Sequence, residues 1–129
     1  MNRLMIVDDA LIMRMRIREV ATLAGWTVVA EAANGVQAVQ LFHELQPDLV
    51  TLDMVMPEMD GTQLTQQIRQ RFPAITARMP IIALTANTNP VERERCLAAG
   101  MDDVLHKPMD TDSLVRCVNA QIRRLRGTA

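Results

Sequence analysis

Five short apolar runs alternate along the chain with five segments in which apolar residues recur every three or four positions. Short runs of β-branched and aliphatic residues bounded by Asp, Gly or Pro are typical of strands. The longer repeat is typical of amphipathic helices. The pattern predicts strands at residues 4–7, 27–30, 49–52, 81–84 and 104–105. The first, third and fourth runs are apolar on both faces, which predicts helices on both sides of a parallel sheet.

The intervening segments predict five helices, each with one apolar face. Gly25 is expected to close the first helix, Asn34 to cap the second, and Thr111 or Asp112 to cap the last. A short, charged fourth helix is expected over residues 90–99. The predicted inward positions are Met13, Ile17, Val20 and Ala24, then Val39, Phe42 and Leu45, then Leu64, Ile68 and Phe72, and finally Leu114, Val118, Ile122 and Leu125. The predicted outward positions of the first helix are Arg14, Arg18 and Thr22.

Regular alternation of strands and helices with short connections predicts an open, doubly wound α/β sheet. Parallel neighbours need crossover helices, and those crossovers are right-handed. At 129 residues, the chain can bury one sizeable core but is too short for two ordinary domains. No repeat, linker or low-complexity tract interrupts the pattern, so residues 1–129 are expected to form a single domain.

The composition argues against several classes of protein. Fourteen basic residues against 15 acidic ones provide no overall positive field that would attract nucleic acid or an anionic membrane. The apolar runs are far shorter than the roughly 20 residues of a membrane span. Asp8 and Asp9 follow the start too closely for a secretory signal, so we expect a cytoplasmic protein. Cys96 and Cys117 lack metal-ligand spacing and are expected to be small buried hydrophobes.

Polar side chains follow four of the five predicted strands. Asp8 and Asp9 follow the first, Asp53 the third, Thr85 the fourth and Lys107 the fifth. Ligands bind beyond the carboxyl ends of the strands in such sheets, so we expect these side chains to share one site. Lys107 is the single lysine among 14 basic residues, which indicates a place where a compact ammonium is needed.

Three carboxylates and one ammonium leave the expected site short of positive charge. Two carboxylates about 4 Å apart repel by roughly 4 kcal/mol at an effective dielectric of about 20. Mg²⁺ is the leading candidate to fill the gap, because it binds one or two carboxylates and completes its shell with water and phosphate oxygens. Motifs typical of nucleotide binding and of serine hydrolysis are absent. Taken singly, Asp8 and Asp9 could cap a helix, Thr85 could be a turn residue and Lys107 a solvated charge.

As a set, these motifs resemble the receiver domain of two-component response regulators over residues 3–124. The matching stretches are IVDD at 6–9, DMVMPEMDG at 53–61, PIIALTA at 80–86, AGMDD at 99–103 and KP at 107–108. The resemblance implies a flavodoxin-like fold with strand order 2-1-3-4-5, and the early segment is similar to chemotaxis regulators. It also implies a cis peptide between Lys107 and Pro108.

By this resemblance, Asp53 is the phosphoacceptor, which takes a phosphoryl group from a sensor histidine kinase or a histidine phosphotransfer protein. Thr85 and Lys107 would contact the phosphoryl group once it arrives. The implied Mg²⁺ ligands are Asp8, Asp9, Asp53 and the backbone carbonyl of Val55. These roles suit phosphoryl transfer, in which catalysis is mostly positioning and charge neutralisation. The domain would catalyse only its own phosphorylation and dephosphorylation and would signal to a partner.

The resemblance also implies how the signal leaves the domain. Receivers contact downstream effectors through the face of the fourth helix, fifth strand and fifth helix, with an aromatic switch residue three positions before the lysine. Here that position is Val104, and the chain has no Tyr. We therefore expect coupling through repacking of the fourth helix and of the loop at residues 85–89. A monomer and a phosphorylation-dependent dimer both fit this scheme.

Other functions stay open at this point. The chain could be a stand-alone switch, or a receiver trimmed from a larger DNA-binding regulator or hybrid kinase; direct contact of the domain with nucleic acid or membrane is not expected. A small-molecule aspartyl-phosphate phosphatase of the haloacid dehalogenase kind would need a second Asp two residues after the nucleophile, where this chain has Val55. A purely structural pseudo-receiver is disfavoured by the intact set of carboxylates, hydroxyl and ammonium.

Overall fold

The computed structural model describes residues 3–56, 59–73, 79–86, 89–107 and 110–125. Within these residues, five strands and five helices alternate, as the sequence predicts. The strands are β1 (Arg3–Val7), β2 (Thr27–Ala32), β3 (Leu49–Asp53), β4 (Ile81–Thr85) and β5 (Asp103–His106). The helices are α1 (Leu11–Leu23), α2 (Gly35–Leu45), α3 (Gly61–Arg71), α4 (Pro90–Ala98) and α5 (Thr111–Leu125). None of the helices in this part of the chain has the length and apolar character needed to cross a bilayer.

All five strands are parallel, and their order in the sheet is β2-β1-β3-β4-β5. The chain moves outward from β1 to β2 and then returns past β1 to build β3, β4 and β5. The direction of winding therefore reverses between β1 and β3, which are hydrogen-bonded neighbours. Both the doubly wound fold and the strand order match the prediction. In such sheets the crevice at this reversal, outside the carboxyl ends of the strands, is the usual ligand site.

Apolar side chains cover both faces of the sheet, because successive residues of a strand point to opposite sides. One cluster joins the sheet to α2, α3 and α4 and includes Met5, Val7, Phe42, Leu52, Leu64, Ile68 and Cys96. The other joins it to α1 and α5 and includes Leu4, Ile6, Ile17, Leu84, Leu114 and Cys117. Strands β3 and β4 are buried at every position. Both cysteines are buried and unbridged, as expected.

The ends of the early helices follow from local chemistry. The Asn34 side chain caps α2 by accepting a hydrogen bond from the Gln37 N–H at 2.9 Å, as predicted. Gly25 follows α1 with a φ of +88°, a left-handed conformation that favours glycine. Ala24, predicted to face the core, is instead exposed, because it lies beyond the last full turn of α1. Ala21 is buried in that helix.

The predicted cap of the last helix is wrong by one residue. The Asp110 carboxylate accepts a hydrogen bond from the Ser113 N–H at 2.7 Å, which makes Asp110 the capping residue. The helix already begins at Thr111, so the residue before it takes the capping position. The same bond lowers the pKa of the Asp110 carboxyl.

Some predictions fall outside the described residues. One is the cis peptide between Lys107 and Pro108; another is the inward orientation of Ile122 and Leu125, whose backbone is described in α5 but whose side chains are not. The other predicted core positions of α5, Leu114 and Val118, are buried. The first half of the last helix therefore packs with the face that its apolar spacing predicts.

Candidate functional site

Three carboxylates meet where β1 and β3 end. Asp8 and Asp9 follow β1, and Asp53 is the last residue of β3. Because Val7 of β1 and Leu52 of β3 pair in register, one oxygen from each of the three carboxylates lies within 4.8 Å of the other two. Asp8 is fully buried and Asp53 is 5% exposed, whereas Asp9 is exposed. The cluster is therefore reached from solvent on the side of Asp9.

The ammonium of Lys107 bridges two of these carboxylates. Its Nζ lies 3.1 Å from Asp8 Oδ2 and 3.0 Å from Asp53 Oδ1. The Lys107 backbone N–H donates to the carbonyl of Thr85 at 2.7 Å, which carries the β4–β5 pairing beyond the last residue of β5. Burial opposes the charged form, but the hydrogen bonds and charges of Asp53 and Asp8 outweigh it and raise the pKa of Lys107. The side chain is therefore a cation at neutral pH and not the solvated charge of the simpler alternative.

The Asp53 carboxylate is held through one of its two oxygens. Burial raises the pKa of the Asp53 carboxyl above its ordinary value, and the nearby charge of Asp8 adds to this. Hydrogen bonds from Lys107 and from the Val55 N–H, at 3.2 Å, oppose the rise. Both bonds are accepted by Oδ1, and within the described part of the chain Oδ2 accepts none. One oxygen is thus anchored while the other can bond to an electrophile.

Asp8 is fixed through its backbone and its side chain. Its N–H donates to the Ala32 carbonyl at 3.0 Å, and its carbonyl accepts from Nη1 of Arg14 at 2.7 Å. Its Oδ1 accepts from the Ala10 N–H at 2.9 Å, while its Oδ2 contacts Lys107. The residue before α1 is Ala10, and no side chain caps the helix. The alternative that Asp8 and Asp9 serve as helix caps is therefore wrong.

The chain after Asp53 returns sharply towards α3. The Gly61 N–H donates to the Met54 carbonyl at 3.1 Å. A Cβ at Gly61 would lie 3.0 Å from the Asp53 carbonyl oxygen and 3.1 Å from Met54 Cα, so any side chain there would require the backbone after Asp53 to shift by a few tenths of an ångström. Asp60 then starts α3 through a reciprocal capping box with Gln63. Both ends of the loop that follows Asp53 are anchored.

Thr85 and Val55 occupy different environments beside the cluster. Thr85 is buried as the last residue of β4, next to Leu84, which pairs in register with Asp53. Thr85 is thus a strand residue and not a turn residue. Val55 is 76% exposed in the loop after β3, and its N–H faces the Asp53 carboxylate. The predicted metal contact of its carbonyl stays a prediction.

Sequence reasoning missed Arg14. It was predicted to face solvent on α1, but its side chain is only 16% exposed and contacts both the Asp8 carbonyl and Glu31. Helical periodicity identifies the apolar face of a helix but does not show where a long guanidinium stem will reach. The available signal was Glu31, a carboxylate near the end of a strand in the sheet, which needs a basic partner once it is partly buried.

The donor set fits a small, hard cation. Three negative charges and one positive charge leave the cluster with an excess of two negative charges. Carboxylate oxygens are ligands that Mg²⁺ prefers, and close carboxylates repel one another unless a cation separates them. The predicted ligands Asp8, Asp9 and Asp53 are therefore brought together in a suitable arrangement.

Known proteins resemble this chain in both sequence and structure. A family model described as the response regulator receiver domain matches residues 4–119. The chemotaxis protein CheY of Bacillus subtilis (strain 168) is 41% identical over 118 residues, which cover 92% of this chain and 95% of that protein. The sensor histidine kinase RcsC of Salmonella typhi is 34% identical over 125 residues, covering 97% of this chain and 13% of the kinase.

A solved receiver structure that contains a metal ion is also similar to this chain. It is the receiver domain of a sensor histidine kinase from Pseudomonas aeruginosa PAO1, with a magnesium ion coordinated in its active-site cleft. The TM-score is 0.81 at 33% identity, and the match covers 98% of each chain. The similarity therefore extends over nearly the whole chain in sequence and in fold.

Proposed function

This chain belongs to the response regulator receiver domain family, and we propose that within it the chain works as a phosphorylation-driven signalling switch. Asp53 accepts a phosphoryl group from a phosphohistidine on a sensor histidine kinase or a histidine phosphotransfer protein. The observation that carries the proposal is the Asp53 carboxylate, which is buried and anchored through Oδ1 beside an ammonium. A cytoplasmic location, a single domain and a monomeric or phosphorylation-dependent dimeric state stay predictions from the sequence.

The proposed step is an in-line displacement at phosphorus. Oδ2 of Asp53 forms the new O–P bond while the P–N bond of the phosphohistidine breaks, and its electron pair leaves with the imidazole nitrogen, which takes a proton from solvent. Lys107, 3.0 Å from Asp53 Oδ1, neutralises charge on the phosphoryl oxygens. The hydroxyl of Thr85, at the end of β4, donates a hydrogen bond to one of these oxygens. The product is an aspartyl phosphate.

The carboxylate cluster supports a role for Mg²⁺ in this step. The residues that would hold it are Asp8, Asp9, Asp53 and the backbone carbonyl of Val55. The support is the excess of two negative charges in a cluster in which one oxygen from each carboxylate lies within 4.8 Å of the other two. When bound, the ion would supply positive charge to the phosphoryl oxygens. The related Pseudomonas aeruginosa receiver, which has a magnesium ion coordinated in its active-site cleft, supports magnesium as the cation.

Output is proposed to pass to a downstream effector through the face of α4, β5 and α5. Val104, in the family's aromatic position, is buried in the same core cluster as Met54 and Cys96. The Sγ of Cys96, on α4, lies 3.6 Å from the Sδ of Met54, the residue after Asp53. A change in the loop after Asp53 would therefore alter the packing of α4 directly, without an aromatic switch.

Amide chemical shifts in the presence of beryllofluoride, a phosphoryl mimic, test this route. Changes are expected throughout α4 as well as near Asp53. Changes confined to the carboxylate cluster would contradict coupling through Cys96 and Met54.

Intact mass after incubation with acetyl phosphate tests the central proposal. The wild-type chain is expected to gain about 80 Da, one phosphoryl group, in the presence of Mg²⁺ and nothing in its absence. Asp53→Asn is expected to gain nothing. Asp112→Asn, which removes an exposed carboxylate on α5, is the matched control and should behave as wild type.

Two outcomes would contradict the proposal. An adduct on Asp53→Asn would move the acceptor to another residue. Absence of both an adduct and beryllofluoride binding in the wild-type chain would favour a structural pseudo-receiver. Beryllofluoride binding without an adduct indicates a short-lived aspartyl phosphate, which supports the proposed acceptor.

A further inference from the structure

A guanidinium lies directly behind the turn that carries two of the carboxylates. Nη1 of Arg14 donates to the Asp8 carbonyl oxygen at 2.7 Å. That carbonyl belongs to the peptide group that joins Asp8 to Asp9, so its orientation affects the directions of both side chains. Arg14 lies on α1, which follows the turn. One hydrogen bond therefore ties the helix to the backbone between the buried carboxylate and the exposed one.

Glu31 on β2 holds the same guanidinium from the other side. Its Oε1 lies 3.3 Å from Nε of Arg14, and its Oε2 accepts a hydrogen bond from Nε of Arg18 at 2.7 Å. Glu31 pairs in register with Ile6 of β1, the strand that leads into the turn. The position of Arg14 is thus set by the sheet as well as by its own helix.

The Arg14 guanidinium lies close enough to the Asp8–Asp9 turn to compete with a cation for its carboxylates, and Glu31 prevents this competition. Arginine binds carboxylates with paired hydrogen bonds, so a guanidinium next to the Asp8–Asp9 turn would compete with a metal ion for the same oxygens. Within the described residues, Arg14 forms its ion pair with Glu31, and its other bond is to a carbonyl oxygen. Its charge is therefore kept off the site carboxylates while its hydrogen bond still orders them.

We propose that Arg14 is a positioning residue for the Mg²⁺ ligands Asp8 and Asp9, and that Glu31 keeps its guanidinium on the Asp8 carbonyl. The inference rests on the proposed function, because it concerns the cation that this function uses. Among the described residues, Arg14 bonds to the Asp8 carbonyl and to Glu31 and not to Asp53, so it acts by holding one peptide group.

The direction in which the Mg²⁺ affinity changes when Arg14 is replaced distinguishes a positioning role from a purely electrostatic one. Removal of a positive charge near carboxylates strengthens the binding of a divalent cation. Loss of a group that orients the ligands weakens binding, typically by 10- to 100-fold. A variant without the Arg14 guanidinium therefore binds Mg²⁺ more tightly if the residue acts through charge, and less tightly if it acts through geometry.

Isothermal titration of Mg²⁺ into the purified chain measures this sign. Arg14→Met is expected to weaken binding by about tenfold. Arg18→Met is the matched control, since it removes the same charge and the other partner of Glu31, and in the described part of the chain Arg18 pairs with Glu31 and not with Asp8. It is expected to bind at least as tightly as wild type.

A double-mutant comparison tests the part played by Glu31. If Glu31 acts through Arg14, Glu31→Gln weakens binding in the wild-type background but changes it by less than about twofold when Arg14→Met is also present. Equal effects of Glu31→Gln in both backgrounds would show a direct electrostatic role and overturn this part of the proposal.

The outcomes distinguish this inference from the proposed function. Arg14→Met binding as tightly as wild type, or more tightly, overturns the positioning role and leaves the phosphoacceptor proposal intact. Failure of the wild-type chain to bind Mg²⁺ overturns both. If Arg14→Met does not fold, Arg14→Lys keeps the charge and replaces the rigid fork, and the proposal then requires it to bind Mg²⁺ several-fold more weakly than wild type.

Discussion

Two clusters of charged side chains lie at opposite ends of the parallel strands, and they differ in their balance of charge. At the carboxyl ends, three carboxylates meet the single ammonium of Lys107. At the amino ends of β4 and β5, the Arg69 guanidinium pairs with the Asp102 carboxylate at 2.9 Å, one charge against one among the ion pairs of the described residues. Both clusters are made by residues far apart in the chain, so proximity alone does not separate their roles.

The balanced cluster is a structural connection. Besides its ion pair, Arg69 of α3 donates to the carbonyls of Gly100 at 3.0 Å and Met79 at 3.1 Å. The same oxygen of Asp102 that faces Arg69 also accepts from the Ile81 N–H at 2.8 Å. The network joins α3 to the starts of two strands.

The cluster of three carboxylates and one ammonium lowers the stability of the fold. Its close negative charges repel one another, and burying them removes them from water. A fold tolerates such an excess where a ligand of opposite charge uses it. The comparison therefore indicates which polar cluster holds the protein together and which one binds something, although both contain partly buried charges.

The largest expected effect is the loss of the balanced pair. Asp102→Ala leaves the Arg69 guanidinium and the Ile81 N–H without their carboxylate, and it is expected to lower the free energy of unfolding by about 3 kcal/mol. Denaturation in urea measures this. Glu92→Ala, which breaks the more exposed pair with Arg95, is the control and should cost less than about 1 kcal/mol. Equal losses of stability in Asp102→Ala and Glu92→Ala would show that the Arg69–Asp102 pair contributes no more to the fold than an exposed ion pair does.

The opposite sign is expected at the unbalanced cluster. Without Mg²⁺ at pH 7, Asp53→Asn is expected to raise the free energy of unfolding by on the order of 1 kcal/mol, since carboxylates about 5 Å apart repel by roughly 3 kcal/mol and Lys107 offsets part of this. Excess Mg²⁺ should reverse the order, because it stabilises the state that binds it. A less stable Asp53→Asn without Mg²⁺ would show that the cluster is a structural one.

The difference in stability between wild type and Asp53→Asn is also expected to depend on pH. Burial raises the pKa of Asp53 in the folded chain above its ordinary value of 3.8, so the folded state holds this proton more tightly than the unfolded state. The free energy of unfolding of the wild-type chain therefore falls as the pH rises from the ordinary pKa of Asp53 to its raised pKa in the folded state. Above the raised pKa, this residue causes no further loss of stability. The advantage of Asp53→Asn should grow over that range and vanish below it. Urea denaturation of wild type and Asp53→Asn at a series of acidic pH values measures this difference in the free energy of unfolding.

A change in stability no larger than that of Asp53→Asn is expected in the middle of β3, away from both charged clusters. The hydroxyl of Thr51 in β3 is fully buried and has no hydrogen-bond partner among the described residues. Thr51→Val removes an unpaired polar group without changing shape, so it should raise the free energy of unfolding by about 1 kcal/mol. Thr65→Val is the control: its hydroxyl donates to the Gly61 carbonyl at 2.8 Å, so it should lose stability instead. Thermal unfolding of both variants is the measurement, and a loss in Thr51→Val would contradict the prediction.

The sequence by itself determined the fold class and most of the site. Apolar runs and helical spacing are local properties, and parallel strands joined by helices must all end at one edge of the sheet. Asp8, Asp53 and Lys107 each stand at the end of a predicted strand, so their meeting followed from topology. Their roles in phosphoryl transfer stay proposals.

Only the tertiary structure decided which long polar side chains find each other. The carbonyl of Asp8 is bound by Arg14, which periodicity placed on the solvent side of α1. Arg69 reaches Asp102, 33 residues away in the chain. Periodicity shows which face of a helix is apolar, but the reach of a guanidinium depends on how closely helices and strands pack. Packing decides how many charges are buried at each edge of the sheet. It therefore also decides which cluster is a structural ion pair and which is a binding site.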